Sequence, residues 1–275
     1  ILCNLVKNNF CRLTSQFSVK MRLGIITDIH ENFKVLETVL RLAGNARCDN
    51  IACLGDIVGY DNRFAGWSFS RSASRCISLI RSSCKWVVAG NHDLFAASRQ
   101  PSWANGFTYP GNWFTLTSEE RAAVSADMVW TYGTEIPGDL KDEDMEYLRS
   151  LPEYLIVNDA TPGILLSHYV CPDFSGSTTR RVMKQRHLGD LWGFMNHHGI
   201  KLSLSGHFHK PHASFAHRHT LPFFRAIHSV PGERIFLGDD ITMVLLPPVT
   251  GVKGRTSFAL LDTDSGILSL VHERT

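Results

Sequence analysis

The sequence predicts one mixed α/β domain built on two β-sheets. Two observations carry that reading. Short apolar runs alternate with amphipathic helical stretches in the first third of the chain, and strand-like runs crowd the last half around a single long helical pattern. No internal repeat, Gly/Ser linker or low-complexity tract divides the whole.

Taken in order, residues 1–20 hold Lys7, Arg12 and Lys20 and no acid. Lys7-Asn8-Asn9 breaks any secretory apolar core, so the segment is read as a leader outside the fold, with the natural start at Met21. A transit peptide is the alternative. The single domain then runs over residues 21–275. Leu23–Ile26, Ile51–Leu54 and Trp86–Ala89 read as buried strands. Between the first two, Phe33, Leu36, Val39, Leu40 and Ala43 recur at helical spacing, and Phe69, Ala73, Cys76, Ile77 and Ile80 do so between the second and third. Strand–helix–strand–helix–strand argues for parallel pairing with right-handed crossovers.

The stretch from about Ser98 to Ser150 is more polar. Thr117-Ser118-Glu119-Glu120 has capping-box spacing before a helix over Ala122–Val129, and a second short helix runs through Glu143–Leu148 and stops before Pro152. A lid over a site and a plain surface excursion both fit this stretch. Strand signals return at Leu155–Val157, Ile164–Ser167, Lys201–Ser205, Ile235–Leu237, Met243–Leu246, Ser257–Leu261 and Ile267–Val271. One helix intervenes, with Leu191, Trp192, Phe194, Met195 and His198 facing the core and Gly199 as its stop.

Composition narrows the function classes. Hydrophobic residues at 44% and charged residues at 20% exclude a disordered chain. The longest charge-free apolar stretch, Ile241–Val252, contains two prolines and falls short of the about 20 residues a bilayer requires. A net charge of +2 provides no strong pull toward nucleic acid or membrane. Seven cysteines without a C-x-x-C pair argue against a disulfide framework and for a reducing, cytoplasmic setting. Histidine is the outlier: ten of 13 lie between His168 and His228.

Five polar motifs begin where apolar runs end: Asp28-Ile29-His30, Gly55-Asp56, Gly90-Asn91-His92-Asp93, His168 and Gly206-His207-Phe208-His209. In open α/β sheets ligands bind beyond the carboxyl ends of the strands, so the five should converge. Carboxylate, amide oxygen and imidazole together suit a pair of Mn, Fe, Zn or Ni ions better than calcium. Side chains two apart in an extended segment share a face, so Asp28 pairs with His30, and His207 with His209. Gly55, Gly90 and Gly206 allow sharp turns and close approach. Each motif alone has a plain structural reading, as a turn, a helix cap or a core histidine; their order and placement together point to metal.

The ordered set D-x-H, G-D, G-N-H-D, H and G-H-x-H resembles that of the calcineurin-like metallophosphoesterase superfamily, from Asp28 to His209. The runs Ile25–Asn32 and Gly55–Tyr60 look like its small prokaryotic phosphoesterases. The resemblance implies a four-layer α-β-β-α sandwich with two mixed sheets and a dinuclear metal site at the carboxyl edge of the strands. By that match Asp28, His30 and His209 hold the first ion, Asp56 bridges, and Asn91, His168 and His207 hold the second. It implies a metal-dependent hydrolase that cleaves a phosphomonoester or phosphodiester by direct attack of a metal-bridging hydroxide, with a phosphorylated small molecule or nucleotide as substrate. His92 is the residue expected to protonate the leaving oxygen. A nuclease and a catalytically silent scaffold, such as the retromer subunit of that superfamily, are the competing readings.

Three departures stand out. Glu31 occupies the place of a usual glycine and puts an extra carboxylate beside the site. The G-D-x-V-D-R-G run of the protein phosphatases and symmetrical dinucleoside tetraphosphatases is replaced by Gly55-Asp56-Ile57-Val58-Gly59-Tyr60-Asp61. The usual partner of the catalytic histidine is therefore missing at position 59, and Asp61 or Asp93 is left to orient His92. Arg180, Arg181, Lys184 and Arg186 form a basic cluster that is either a second-anion site or a solvated face. Tyr60, Trp113, Tyr169 and Phe208 are candidate aromatics at the mouth.

Overall fold

A computed structural model of the chain describes residues 19–61, 71–159, 162–219, 227–229, 234–238, 240–250 and 255–274. Residues 1–18 of the expected 1–20 leader and the helical position assigned to Phe69 lie outside them. The chain opens with β1 (Arg22–Ile26), α1 (Phe33–Asn45), β2 (Asn50–Cys53), β3 (Tyr60–Asp61), α2 (Ala73–Ser83), β4 (Trp86–Val87) and α3 (Asn91–Ala96). Asn32 and Ser72 cap α1 and α2 by accepting from Val35 N and Arg75 N, which satisfies donors the first helical turn leaves open.

The polar middle contributes α4 (Ser118–Ser125), β5 (Glu135–Ile136) and α5 (Asp142–Ser150). The capping box at Thr117 and Glu120 forms. However, α4 ends four residues before the expected Val129: Ala126 turns left-handed at φ 48°, and Val129 instead bridges Thr178. The remainder supplies β6 (Tyr154–Val157), β7 (Gly163–Ser167), α6 (Gly189–His197), β8 (Ile200–Ser205), β9 (Ser214–His217), β10 (His228–Ser229), β11 (Arg234–Phe236), β12 (Thr242–Leu245), β13 (Arg255–Asp262) and β14 (Ile267–Arg274). His198, expected on the core face, caps α6 in solvent.

One six-stranded sheet runs β11-β14-β13-β1-β2-β4 and the other β10-β9-β12-β8-β7-β6, with β3 and β5 pairing as a separate ribbon. Strands β1, β2 and β4 are parallel, as are β7, β8 and β12; the outer strands join antiparallel.

Alternation along the strands explains the layering. Leu23 and Ile25 of β1, Ile164 and Leu166 of β7, and Val244 of β12 fill one apolar cluster between the two sheets. Ile26 points the other way, toward Leu36 and Val39 of α1, Ile77 and Ile80 of α2, and Leu148 of α5. Leu165, Met243 and Leu245 likewise face Leu191 and Met195 of α6. The result is helices, sheet, sheet, helix, each buried Leu or Ile contributing about 1.5–3 kcal/mol. Strand β4 is only two residues long: Val88 N still donates to Cys53 O of β2 at 3.0 Å, but Ala89 N turns away to Pro152 O. No described helix is long and apolar enough to cross a membrane.

Candidate metal centre

Parallel order within each sheet puts the exits of β1, β2 and β4 on one edge, and those of β7 and β8 on the matching edge of the other. Backbone hydrogen bonds then stitch these exits together. Asp28 N donates to Gly55 O at 3.1 Å, His30 N to Asp56 O at 3.0 Å, and Gly206 N to His168 O at 2.9 Å. Asp28, His30, Asp56, His207 and His209 all adopt left-handed φ between 48° and 71°. Such a backbone is costly for residues with side chains and persists where the surroundings impose it, as at binding sites.

Two groups of donor atoms result, each with its atoms within 4.8 Å of one another: Asp28, His30, Asp56 and His209, and Asp56, His168 and His207. Asp56 belongs to both. The expectation that His207 and His209 share one site from an extended segment does not hold. Their φ values of 71° and 48° turn the chain, and the two rings go to different groups.

The ring orientations are set from behind. His30 Nδ1 donates to Gly59 O and His168 Nδ1 to Leu54 O, each at 2.8 Å. Each bond leaves Nε2 unprotonated in the neutral ring and aimed into the cluster. There His30 Nε2 lies 3.0 Å from His209 Nε2, and His168 Nε2 lies 3.2 Å from His207 Nδ1 and 3.1 Å from Asp56 Oδ2. Burial, reinforced by the neighbouring His209, lowers His30 to about 3; burial and His168 do the same to His207. Burial opposes charge on Asp28 and Asp56 as well, yet His209 and His168 beside Asp28, and His168 and His92 beside Asp56, hold both carboxyls below the usual range. His168 goes the other way: burial opposes its charge, but Asp56 and then Asp28 hold it up at about 10. It must give up its Nε2 proton to ligate metal, whereas His30 and His207 are already neutral.

Asn91 opens α3 behind Gly90. Its Oδ1 is buried with no hydrogen-bond donor, a costly state that a cation relieves. Gly90 is required for close approach rather than for a turn: its φ is −92°, and a Cβ there would overlap Asp56 Oδ1. The donor set, the fixed tautomers and the orphaned amide oxygen all fit divalent metal.

His92 follows Asn91, and its partner is neither of the residues expected. Asp93 is engaged by the backbone: Ile57 N and Gly90 N donate to it at 2.9 Å and Val58 N at 3.1 Å. Asp61 accepts from Thr134 Oγ1 at 2.6 Å. Instead His92 Nδ1 donates to Glu135 Oε2 at 2.9 Å, and the Tyr132 ring packs edge-on at 5.3 Å. Burial disfavours the imidazolium, but Asp56 and then Glu135 outweigh it and hold His92 up at about 9. The ribbon pairs Asp61 with Glu135, so the polar middle of the chain reaches over to the site. Glu135 escaped the sequence reading because a two-residue strand leaves no periodicity to detect. Gly59 stands where a Cβ would strike the His92 ring, so the glycine makes room for this arrangement.

Glu31, the extra carboxylate, is not in either donor group. It is buried, accepts from Arg71 Nε at 2.5 Å, and receives Gly59 N at 3.2 Å. Arg71 also donates to Ile136 O and Pro137 O, which ties β5 to the loop after β1.

The donor groups open into a cavity of about 600 Å³ whose far wall is Trp130–Thr134. Of the expected mouth aromatics, Trp113 is fully buried against Phe107 and Tyr109, and Tyr60 is buried beneath Arg71. Tyr169 and Phe208 line a neighbouring cavity, together with Trp130, which the sequence did not single out. The basic cluster separates: Arg180 is engaged by Cys171 O, His187 O and Asp190, Arg181 lines that second cavity, and Lys184 and Arg186 are exposed.

Comparison with known proteins agrees with this geometry. The calcineurin-like phosphoesterase family profile matches residues 21–211. A metallophosphoesterase from Sphaerobacter thermophilus has a similar structure, with TM-score 0.62 and 22% identity over 93% of this chain and 89% of that one. A hypothetical protein from Pyrococcus horikoshii shares the fold at TM-score 0.53 and 16% identity, over 92% and 88% of the two chains. An uncharacterised protein of Methanocaldococcus jannaschii is 27% identical over 166 residues, 57% of this chain; the match spans about half that relative's length, 56%.

Proposed function

The chain belongs to the calcineurin-like phosphoesterase family, and from that premise we propose that it hydrolyses a phosphomonoester or phosphodiester with two divalent transition-metal ions. The observation that carries this reading is Asp56, whose carboxylate belongs to both donor groups and is the natural bridge between two ions. Asp28, His30 and His209 would complete the first site; Asn91, His168 and His207 the second. Bound there, the ions would polarise the phosphoryl oxygens and lower the pKa of water enough to provide a nucleophile near neutral pH.

The rest of the chemistry falls to the protein. Attack at phosphorus expels an alkoxide or phenoxide, which needs a proton. His92 lines the same cavity as Asp56 and Asn91, and the Glu135 carboxylate beside Nδ1 favours its protonated form. It is placed to donate from Nε2 while Glu135 holds Nδ1. His92 N donates to Asp56 Oδ1 at 3.0 Å, so the same residue also fixes the bridging carboxylate. Trp130–Thr134 wall the cavity opposite the donor groups.

The test is a metal-reconstitution assay on chelator-stripped protein, with Mn, Ni, Zn and Mg against p-nitrophenyl phosphate, bis-p-nitrophenyl phosphate and single-stranded DNA. Metal-dependent ester turnover is expected. Absence of turnover with every metal would count against hydrolysis, and turnover confined to DNA would point to a nuclease.

A further inference from the structure

A second cavity of about 620 Å³ adjoins the first and shares His207 and Trp130 with it. Its walls differ in chemistry. The first cavity carries Asp56 and Asp61; the second has no carboxylate among its described lining residues and three cations, Arg180, Arg181 and Lys210. Arg180 is committed to backbone carbonyls and Asp190. Arg181 is exposed and makes no hydrogen bond or ion pair among the described residues, and Lys210 lies only over the Phe208 ring, at 5.4 Å. Among the described residues, no acidic group engages their charges. Trp130 and Met183 are exposed large apolar side chains, 38% and 60% accessible, and with Phe208 they offer flat surface beside those charges. Stacking surface next to these cations suits an anionic, ring-bearing group.

We propose that this second cavity seats the retained half of a phosphodiester, and that it takes a substituent combining a planar ring with a second anionic group. The proposal rests on the hydrolytic reading above. His92 faces the first cavity and protonates the departing oxygen, so the leaving group belongs on that side. Water adds across the P–O bond, the leaving group departs with the proton, and the ring-bearing half remains as a monoester beside His207. Arg181 and Lys210 hold its second anion, and Trp130, on the wall common to both cavities, stacks on its ring.

The experiment uses two diesters with the same leaving group: thymidine 5′-(p-nitrophenyl phosphate) with and without a 3′-phosphate. The 3′-phosphate should lower KM about five- to tenfold, the range expected of two exposed charge pairs. The combined Arg181→Ala and Lys210→Ala variant should bring that ratio to about one. Trp130→Ala should raise KM for both diesters relative to p-nitrophenyl methyl phosphate, which has no ring on the retained side. A wild-type ratio near one, or a ratio that survives the double variant, overturns the proposal. Calorimetry with thymidine 3′,5′-bisphosphate against thymidine 5′-phosphate gives a second readout that needs no turnover. If no ester is cleaved, the hydrolytic reading fails; a bisphosphate preference lost in the double variant would still establish the anion site, and no preference would remove it.

Discussion

Replacing Glu135 should disable His92 without emptying the metal site. The His92–Glu135 hydrogen bond is 2.9 Å long, and each side chain is only 10% exposed, so solvent screens it little. A charge-assisted hydrogen bond of this kind contributes about 1.5–3 kcal/mol. If that interaction strengthens or orients the acid in the transition state, Glu135→Ala lowers kcat/KM about ten- to a hundredfold. Glu135→Gln can still accept from Nδ1 and should lose less, because only the charge is gone. The ceiling is His92→Ala itself, about 10²–10⁴-fold. The assay compares a phenyl with a p-nitrophenyl ester under Mn saturation. Poor leaving groups depend on a proton donor, so Glu135→Ala should depress phenyl ester turnover more than p-nitrophenyl ester turnover. In a His92→Ala background the second substitution should add little, since the two residues act as a unit. Equal losses on both esters, or full additivity with His92→Ala, would refute the pairing and reduce Glu135 to a structural contact.

Other expectations follow from single contacts. Asp56→Ala removes the carboxylate shared by both donor groups and should abolish dinuclear occupancy, read by elemental analysis of the purified protein; two retained ions would show that the bridge is elsewhere. Gly90→Ala drives a methyl group into Asp56 Oδ1 and should reduce metal content and activity, whereas Gly44→Ala, with open space around it near the end of α1, should leave the metal bound and raise stability by up to about 1 kcal/mol. Arg71→Ala strands the buried Glu31 carboxylate and cuts the tie to Ile136 and Pro137, and should cost about 3 kcal/mol, seen as a drop of several degrees in Tm. An unchanged Tm would mean that Glu31 is protonated or repartnered in the variant.

Much of the framework was legible before any coordinates. Apolar runs such as Ile164–Ser167 mark strands buried on both faces, and the 3.6-residue recurrence of Leu36, Val39 and Ala43 marks α1, because periodicity records which side of a backbone must leave water. The same local logic found the polar motifs, each of which begins as a strand ends. It overreached where geometry changes within a few residues. α4 stops at Ala126, and the left-handed turns at His207 and His209 separate side chains that an extended chain would align.

What the amino-acid order determined, then, was the strands, the helices and the donor types waiting at their carboxyl ends. Only the tertiary structure decided that β5 crosses to β3 and delivers Glu135 to His92, that Asp93 serves the backbone, and that Glu31 belongs to Arg71. The reason is physical. Burial and backbone periodicity are written along the chain, while a hydrogen bond between residues 43 positions apart depends on how two loops meet, and no local pattern encodes that meeting.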